Sequence, residues 1–409
     1  MQELVDGLIA NGTIPAGVPD WVAALVVMLL FGGLVVFGFV LNIAGATTWV
    51  ERRIMGRIQS RIGPNRAGPA GFFIWLCDGV KNMLKEDIVP TAADPRLFKL
   101  APYVVMLGFV GAFVAIPFGG PLIIADLNVG ILYVTSVTAL VVVGILMAGW
   151  ASNNKGSLLG GIRSAAQIVS YEIPAGLSIF PIVMLTGSLS MQDIIRGQGA
   201  APWTWNVFAN PFAFAAFFVF FTSALAEGNR TPFDLPEAES ELVAGFATEY
   251  SGMRNLLFFM AEWGNLYVIG AVVTTLFLGG WRLPAAVESA PAIVALPLQF
   301  VWFFAKSYFW VIVAIWLRWT LPRIRVDQMM TMCWKYLVPI SFVNLLGTAV
   351  WMIAAHATPA LDAVRWVLFA AFLLLVAGFV NRVRFHLTRA GIDRSRRSWN
   401  PLATARAPL

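Results

Sequence analysis

The chain has 409 residues and a mean hydropathy of +0.76; 59% of its residues are hydrophobic and only 12% are charged. Ordinary globular proteins carry roughly 25% charged residues, and a soluble chain with half that supply would expose large apolar patches. The composition therefore excludes most soluble architectures and predicts an all-α integral membrane protein.

The small numbers of cysteine and histidine, two of each, exclude several kinds of site. Cys77 and Cys333 cannot form a disulfide framework, and with so few ligands we expect no metal site and no redox cofactor on this chain. The net charge of +6 could indicate nucleic acid in a soluble protein, but membrane topology explains it better here. We therefore expect no nucleic-acid partner.

Nine hydrophobic runs are long enough for helices that cross a bilayer, each of which needs about 20 apolar residues. They predict about nine transmembrane helices in one polytopic membrane domain, residues 1–380, followed by a basic cytoplasmic tail, residues 381–409. The runs are Val22–Val50, Pro102–Ile124, Val129–Ala151, Ala165–Gly187, Val207–Ala226, Leu256–Leu278, Val294–Trp319, Tyr336–Ala355 and Ala363–Val380.

Lysine and arginine are distributed unequally between the two faces of this arrangement. Of the 28 basic residues, 24 fall in alternate loops, in the run ends beside them or in the tail; only Arg196, Arg282 and Arg365 fall on the opposite side, and Lys306 lies inside the seventh run. By the positive-inside rule, the N-terminus lies outside, and the first loop and the tail lie in the cytoplasm. An alternative with eight helices, which discards one run, would disrupt this alternation.

The first cytoplasmic loop, residues 51–100, combines a cluster of arginines with an amphipathic pattern. Phe72–Glu86 places Trp75, Val80 and Leu84 at helical spacing with charges between them. Such a helix lies in the membrane interface or beneath a partner protein. Anchoring of the topology alone would account for several of the arginines, but not for polar residues such as Asp78 among them.

Ionisable side chains at hydrocarbon depth are costly, and they mark functional sites unless they are paired or reach the interface. Glu172 lies in the fourth run, Glu262 lies in the first turns of the sixth, and Lys306 lies near the middle of the seventh. We expect functional roles for Glu172 and Lys306. For Glu262, which is closer to the surface, a structural pair or a snorkelling side chain is the alternative.

The fifth loop, here called the junction loop (residues 227–255), is strongly acidic and yet rich in apolar residues. If the segment after Pro236 is helical, Glu237 and Glu241 share one face. Closely spaced carboxylates cannot all stay ionised, so their titrations couple, as a proton relay or switch requires. An exposed acidic loop that docks a basic partner is the alternative. With the start of the sixth run, the carboxylates are Glu227, Asp234, Glu237, Glu239, Glu241, Glu249 and Glu262.

Four spaced motifs resemble one known family. PFDLPEAESELVAG (Pro232–Gly245) resembles the signature loop of the quinone-site membrane subunit of respiratory complex I, called the H subunit in bacteria and subunit 1 in mitochondria. Three further stretches agree in the same order: ERRIMGRIQSRIGPN from Glu51, DGVKNMLKED from Asp78, and RWTLPRIRVDQ (Arg318–Gln328) followed by WKYLVP. The resemblance covers roughly residues 20–356, most of the chain.

The resemblance implies a chamber for quinone, either ubiquinone or menaquinone, and a coupled proton path. By motif, the residues at the chamber or among its supporting charges are Arg52, Gln59, Arg61, Asp78, Arg230, Phe233, Arg318, Arg323 and Arg325. Glu227, Asp234, Glu237, Glu239 and Glu241 belong to the junction loop, and Glu172, Glu249 and Glu262 continue inward toward the proton pumps. Lys306 is added to the coupling residues because of its depth.

The resemblance also implies partners. The chain would join the other complex I subunits, namely the hydrophilic subunits of the quinone module and the small membrane subunits next to antiporter-like ones. FMN and the iron–sulfur clusters would belong to those partners, and the chain would lie among lipids of the plasma or inner membrane. It would thus serve as a subunit of a proton-translocating NADH:quinone oxidoreductase.

Three alternatives stay open at this point. A proton-coupled secondary transporter would explain Glu172, Lys306 and the proline in the fourth run. It gives no reason for a basic loop and an amphipathic helix on one face, which look like a docking platform. The equivalent subunit of a membrane-bound hydrogenase shares the architecture but need not reduce quinone. A purely structural anchor needs no buried carboxylates.

Overall fold

The computed structural model describes residues 32–234, 239–284, 291–357 and 363–389, together with residues 22, 26, 29, 30 and 287. Across these ranges the chain is helical and has no strand, which confirms the predicted all-α class. The helices are numbered here in chain order. They are α1 (Leu34–Ile58, opening with a π-helical segment Leu34–Val40), α2 (Ile74–Leu84), α3 (Pro95–Ala112), α4 (Gly130–Ala151), α5 (Lys155–Thr186), α6 (Met191–Arg196), α7 (Pro211–Glu227), α8 (Glu239–Leu242), α9 (Gly252–Phe277), α10 (Ala292–Thr320), α11 (Val326–Thr331, a π-helical segment Met332–Leu337, then Val338–Ala357) and α12 (Val364–Arg389).

Short 3₁₀ turns connect several of these helices, at Pro69–Gly71, Pro202–Thr204, Asn206–Phe208 and Gly245–Ala247. Six of the described helices are long and apolar enough to cross a membrane, namely α1, α4, α5, α9, α10 and α11, and α7 is a shorter apolar helix. Each of the nine predicted runs overlaps a helix. The chain is therefore a multi-pass membrane protein, while nine crossings stay a prediction.

The second predicted run, residues 102–124, differs most from the structure. Its helix α3 begins earlier, because the Asp94 side chain accepts hydrogen bonds from the backbone N–H groups of Arg96 and Leu97 at 3.0 and 3.3 Å. The helix ends at Ala112, and Pro117 lies in the irregular segment that follows. Hydropathy alone did not reveal this early end.

Helices α3, α5, α7 and α9 surround the packed interior. Aromatic rings fill it: Tyr267 of α9 stacks on Phe113 at 6.0 Å, and Tyr250 stacks on Phe98 at 4.0 Å. Where α9 crosses α10, Gly270 lies against the Ser307 backbone carbonyl so closely that a Cβ there would clash. Small residues of this kind let membrane helices approach.

The amphipathic helix predicted over residues 72–86 is confirmed as α2. Its Trp75 ring packs on Gly45 of α1, leaving no room there for a Cβ. The opposite face exposes Val80 and Leu84, at 54% and 84% of their surfaces. Helix α1 continues eight residues past its predicted end, so the first arginines of the basic loop lie on the helix that α2 contacts.

Candidate functional site

A cluster of four charges, two buried and two partly buried, joins four elements at one end of the helix bundle. Glu51 of α1 lies 3.0 Å from Arg318 of α10 and 3.8 Å from Arg230, which follows α7. Arg230 in turn lies 3.1 Å from Glu262 of α9. The side chains of Arg230 and Glu51 are only 1% and 3% exposed. Two arginines and two glutamates balance formally, which burial of charge requires.

Aromatic rings complete this four-charge cluster. The Arg230 guanidinium lies 4.3 Å from the ring centre of Trp263, and that of Arg318 lies 5.8 Å from the same ring. Trp319 donates its indole N–H to the Glu51 carboxylate at 3.1 Å. Planar guanidinium groups stack on aromatic faces, so the rings hold both cations in place without adding charge.

Arg230 is positioned by the sharp turn after α7. Buried Gln167 of α5 donates from its amide nitrogen to the carbonyls of Ala226 (2.7 Å) and Phe233 (2.6 Å), the two residues that bracket the turn. The Phe233 N–H donates to the Arg230 carbonyl at 2.8 Å, and the Thr231–Pro232 peptide is cis. The turn is thereby fixed against α5, with Arg230 directed into the bundle.

A line of carboxylates extends from the cluster into the bundle. Glu262 and Glu227 line one small cavity of about 50 Å³, and Glu227 and Glu172 line the next, of about 490 Å³. Asn265 lines both cavities. The larger cavity is otherwise mainly apolar, with Thr135 and Thr138 among its walls. The three carboxylates and Asn265 thus lie along two adjoining cavities, and the larger one also opens sideways between Leu132 and Phe180, which are 55% and 51% exposed.

A second ion cluster lies at the surface beside the junction loop. Glu241 of α8 pairs with Arg163 of α5 at 2.7 Å and with Arg323 at 3.4 Å. The hydrogen bond from Arg163, together with the charges of both arginines, lowers the pKa of the Glu241 carboxyl below its ordinary value. Glu241 is therefore a fixed anion. Nearby, burial raises the pKa of the Tyr250 hydroxyl, which stays neutral and donates to the Phe98 carbonyl.

Comparison of the sequence with known proteins places the chain in a family. The family model described as NADH dehydrogenase matches residues 29–349. The H subunit of NADH-quinone oxidoreductase from Anaeromyxobacter dehalogenans (strain 2CP-C) is 54% identical over 387 residues, 91% of this chain and 92% of the relative. The chain belongs to the family of NADH-quinone oxidoreductase H subunits. The H subunit of Chlorobaculum tepidum is 48% identical over 315 residues, 74% of this chain and 86% of that protein.

Membership of the H subunit family confirms the resemblance seen in the four motifs. The structure brings several of the motif residues together. Arg52 of α1 and Asp78 of α2 lie 2.7 Å apart, and Lys81 lies 3.2 Å from the same carboxylate. Arg52 follows Glu51 in the chain, so this pair adjoins the four-charge cluster.

Other residues predicted from the H subunit motifs lie outside the buried cluster. Gln59 accepts a hydrogen bond from Arg61 at 2.7 Å, and both side chains are exposed. Arg325 is exposed at the start of α11, where its backbone N–H donates to Gln328 at 3.4 Å. Glu249 accepts a hydrogen bond at 2.7 Å from Asn154, the residue that precedes α5. These groups lie at the surface or at helix ends.

Within the junction loop, some of the described residues pack in the interior and others carry charge. Phe233 is 4% exposed and lies 5.6 Å from the Tyr171 ring, so here it packs against α5. Asp234 is partly buried. Glu237 lies outside the described residues, as does the side chain of Glu239, and the proposed shared face of Glu237 with Glu241 is therefore untested.

Lys306 lies apart from the carboxylate line. Its ammonium donates to the Leu278 carbonyl at 2.8 Å, at the end of α9 remote from Glu262. The rings of Trp205 and Trp302 lie 5.1 and 5.4 Å from it. The depth of Lys306 in the sequence run indicated a coupling residue, whereas its contacts belong to the opposite end of the bundle.

Sequence reasoning did not select Glu51, although it opens the ERR motif. The first hydrophobic run ends at Val50, and hydropathy therefore places Glu51 in the loop rather than at depth. A helix continued to Ile58 would have made it a buried acid beside arginines. Asn265 lies one turn from Glu262 and lines both cavities, and it was missed because it carries no charge and only ionisable side chains at depth indicate a site by themselves.

Proposed function

We propose that this chain is the quinone-site membrane subunit of a proton-translocating NADH:quinone oxidoreductase, and that it couples quinone reduction to proton movement. The relatives are named as H subunits of NADH-quinone oxidoreductase, and the match spans nine-tenths of both chains for the first of them. The observation that carries the proposal is the series of buried and partly buried charges from Glu51 through Arg230 and Glu262 to Glu227 and Glu172.

The quinone end of the series would lie where α1 meets α2. Arg52, Asp78, Arg230 and Arg318 supply charge there, and the exposed apolar face of α2 suits a molecule with a long isoprenoid tail. Gln59, Arg61, Phe233, Arg323 and Arg325 would support this chamber by their positions in the same motifs. Quinone, as ubiquinone or menaquinone, is the substrate.

Coupling would begin with competition for the arginines. Reduction places negative charge on the quinone head, and an anion near Arg230 and Arg318 weakens their pairing with Glu51 and Glu262. A carboxylate that loses its cation binds a proton more readily. The proton then moves along Glu227 and Glu172, whose titrations are coupled because they share one cavity. Each carboxylate alternates between proton acceptor and donor.

The remaining acidic residues would act beside this line rather than in it. Asp234, Glu237, Glu239, Glu241 and Glu249 belong to the junction loop, which Arg163 and Arg323 hold through Glu241. A shift of that loop would move Arg230, because both lie on the same short segment. Lys306 is not needed for this relay.

The assembly follows from the same proposal. Partner subunits of complex I would carry FMN and the iron–sulfur clusters, with the hydrophilic quinone module over the face that bears α2. Small membrane subunits next to the antiporter-like ones would lie beside the cavity of Glu172. Residues 1–380 would form one membrane domain in the plasma or inner membrane, with the N-terminus outside and the tail, residues 381–409, in the cytoplasm.

The competing functions fit less well. The relatives' names favour the NADH-linked enzyme over a hydrogenase, and the family match over 29–349 gives no support to an independent transporter. A structural anchor leaves the carboxylate line of Glu172, Glu227 and Glu262 without a purpose, since burying such groups is costly.

Replacing Glu227→Gln tests the function at the centre of the line. Its amide keeps the size of the side chain but cannot carry a proton, so we expect proton pumping per NADH oxidised to be lost in inverted vesicles. Electron transfer from NADH to ferricyanide bypasses quinone. It should persist in the variant, and it reports that the enzyme has assembled. Glu86→Gln, at an exposed residue, is the matched control and should pump normally. Undiminished pumping in Glu227→Gln would refute the relay.

A further inference from the structure

A cavity remote from the carboxylate line remains unexplained by the proposed function. It measures about 380 Å³ and lies between α7, α10 and α12, at the end of the bundle where α9 finishes. Its walls are almost entirely aromatic or aliphatic, including Phe217, Phe309, Trp310 and Phe372. A volume of this size lies within the range of cavities that hold small ligands.

The cavity opens sideways, toward lipid. Phe218 and Phe309 line it and yet are 50% and 55% exposed on the lateral surface of the bundle. A molecule that enters this way comes from the bilayer rather than from water. Tryptophans are abundant at this level, with Trp205, Trp302 and Trp310 on the walls, as is typical of the interface between hydrocarbon and headgroups.

Lys306 is the one ionisable residue among the described residues that line this cavity. It projects from the middle of α10, and side chains on a helix tilt toward its N-terminus, here the end where α9 finishes. An ammonium has three donors, of which one is directed to the Leu278 carbonyl. The cavity therefore offers a cation and hydrocarbon walls, with no carboxylate in the part of its lining that the structure describes.

The ninth predicted span forms one wall of the cavity. Phe369 and Phe372 of α12 line it, and both pack on Phe208 at 5.2 and 5.6 Å. Trp366 of the same helix packs on Trp203 at 5.5 Å. Aromatic contacts thus hold α12 at its N-terminal part, beside the space that the cavity occupies.

We propose that this cavity binds an anionic phospholipid, whose phosphate pairs with Lys306 and whose acyl chain fills the space between α7, α10 and α12. A phosphodiester supplies the negative charge that the lining residues lack, and an acyl chain matches the aromatic walls. The lipid joins α12 to the rest of the subunit. Its site is independent of the quinone chemistry.

Lipid retention by the intact purified complex tests the proposal. The complex is incubated in mild detergent with phosphatidylglycerol bearing deuterated chains, or with phosphatidylcholine bearing the same chains, and is then separated from free lipid. Bound deuterated lipid is counted by mass spectrometry. Wild type should retain one more phosphatidylglycerol molecule per complex than Lys306→Gln, while Lys306→Arg should retain as much as wild type.

Two further variants separate charge from space. Ala305→Trp keeps Lys306 but fills the cavity that Ala305 lines, so it should lose the same phosphatidylglycerol molecule, and it serves if Lys306→Gln fails to assemble. Arg196→Gln, at a 61% exposed cation beyond α5 on the same side, should bind as wild type does. The proposal is overturned if Lys306→Gln or Ala305→Trp retains as much phosphatidylglycerol as wild type. That result is expected if a helix of a partner subunit, rather than a lipid, fills the cavity. Equal loss of both lipids in Lys306→Gln also overturns the headgroup pairing.

Discussion

Glu51 has three partners that come from distant parts of the chain. It forms ion pairs with Arg318 and Arg230 and accepts a hydrogen bond from the indole of Trp319, and only 3% of its side chain is exposed. Water cannot replace a lost partner at such a site. The stability of the cluster therefore depends on each charge having its opposite, and Glu51 is the anion common to both arginines.

Replacing Glu51→Ala should destabilise the subunit strongly, because it leaves Arg318 without its carboxylate in a buried site. Removing one partner of a buried ion pair costs about 3–5 kcal/mol. Trp319→Phe removes only the hydrogen bond and should cost about 1 kcal/mol. Heat inactivation of the assembled enzyme in membranes compares the two. Equal heat resistance of Glu51→Ala and Trp319→Phe would contradict the central role of Glu51.

Glu241 gives a prediction about pH. The pKa of Glu241 is lowered in the folded chain. The stabilisation by Arg163 is therefore fully present at any pH above the ordinary pKa of a glutamate, and it is lost only as the pH falls through the lowered pKa of Glu241. Glu241 therefore stays ionised between about pH 6 and pH 8. Compared with wild type, we expect Glu241→Gln to increase proteolysis of the junction loop by the same factor at both of these pH values. Arg163→Gln removes the same pair and should behave alike; a difference confined to the higher pH would mean that Glu241 titrates in this range.

At the scale of elements, periodicity and hydropathy predicted the helices, and helix ends decided what was missed. The amphipathic pattern located α2 to within two residues at each end. The first run was ended too early, which hid Glu51, and the second was displaced because Asp94 starts α3 before its apolar part begins. Hydropathy reports burial in lipid, whereas capping and turn residues determine where a helix starts and ends.

The ion pairs between side chains of different helices could not be predicted from the sequence for a different reason. Arg318 and Glu51 are far apart in the chain, and no local spacing indicates that α1 and α10 meet there. The motifs named Arg230 and Glu262 separately, but only the fold shows that they form one pair at 3.1 Å. Lys306 was grouped with the carboxylates by depth alone, since a single sequence cannot show which way a helix presents its residues.

The crossing of α9 and α10 yields a prediction about packing. Gly270→Ala would place a methyl group against the Ser307 carbonyl, and backbone cannot yield as a side chain can. Overpacking of this kind costs about 1–3 kcal/mol, so the variant should lose activity at a lower temperature. Gly79→Ala is the control, because its Cβ meets nothing within 4 Å and alanine favours the helix α2. Identical inactivation temperatures for the two variants would show that the α9–α10 contact is looser than described.

At the scale of the whole molecule, the ion clusters are concentrated at one end of the bundle. The buried ion cluster, the basic end of α1 and the surface pair of Glu241 lie at one end, where α7 finishes and α9 begins. The opposite end carries the tryptophan-rich turns and Lys306. Quinone chemistry and proton uptake would thus share the positively charged face, while the other end would bind lipid.

This polarity predicts how the chain sits in the membrane. Helix α5 has 32 residues and spans about 48 Å, so Lys155 at its start and Arg196, just beyond its end, should lie on opposite faces. Because positive residues concentrate on the side of Lys155, we expect that side to face the cytoplasm. In a Cys77→Ser background, a membrane-impermeant maleimide should label Arg196→Cys in intact spheroplasts, and Lys155→Cys only once the membrane is opened. Buried Cys333 should stay unlabelled and needs no replacement. The reverse labelling pattern would invert the orientation and, with it, the side from which the proposed carboxylate line would take up protons.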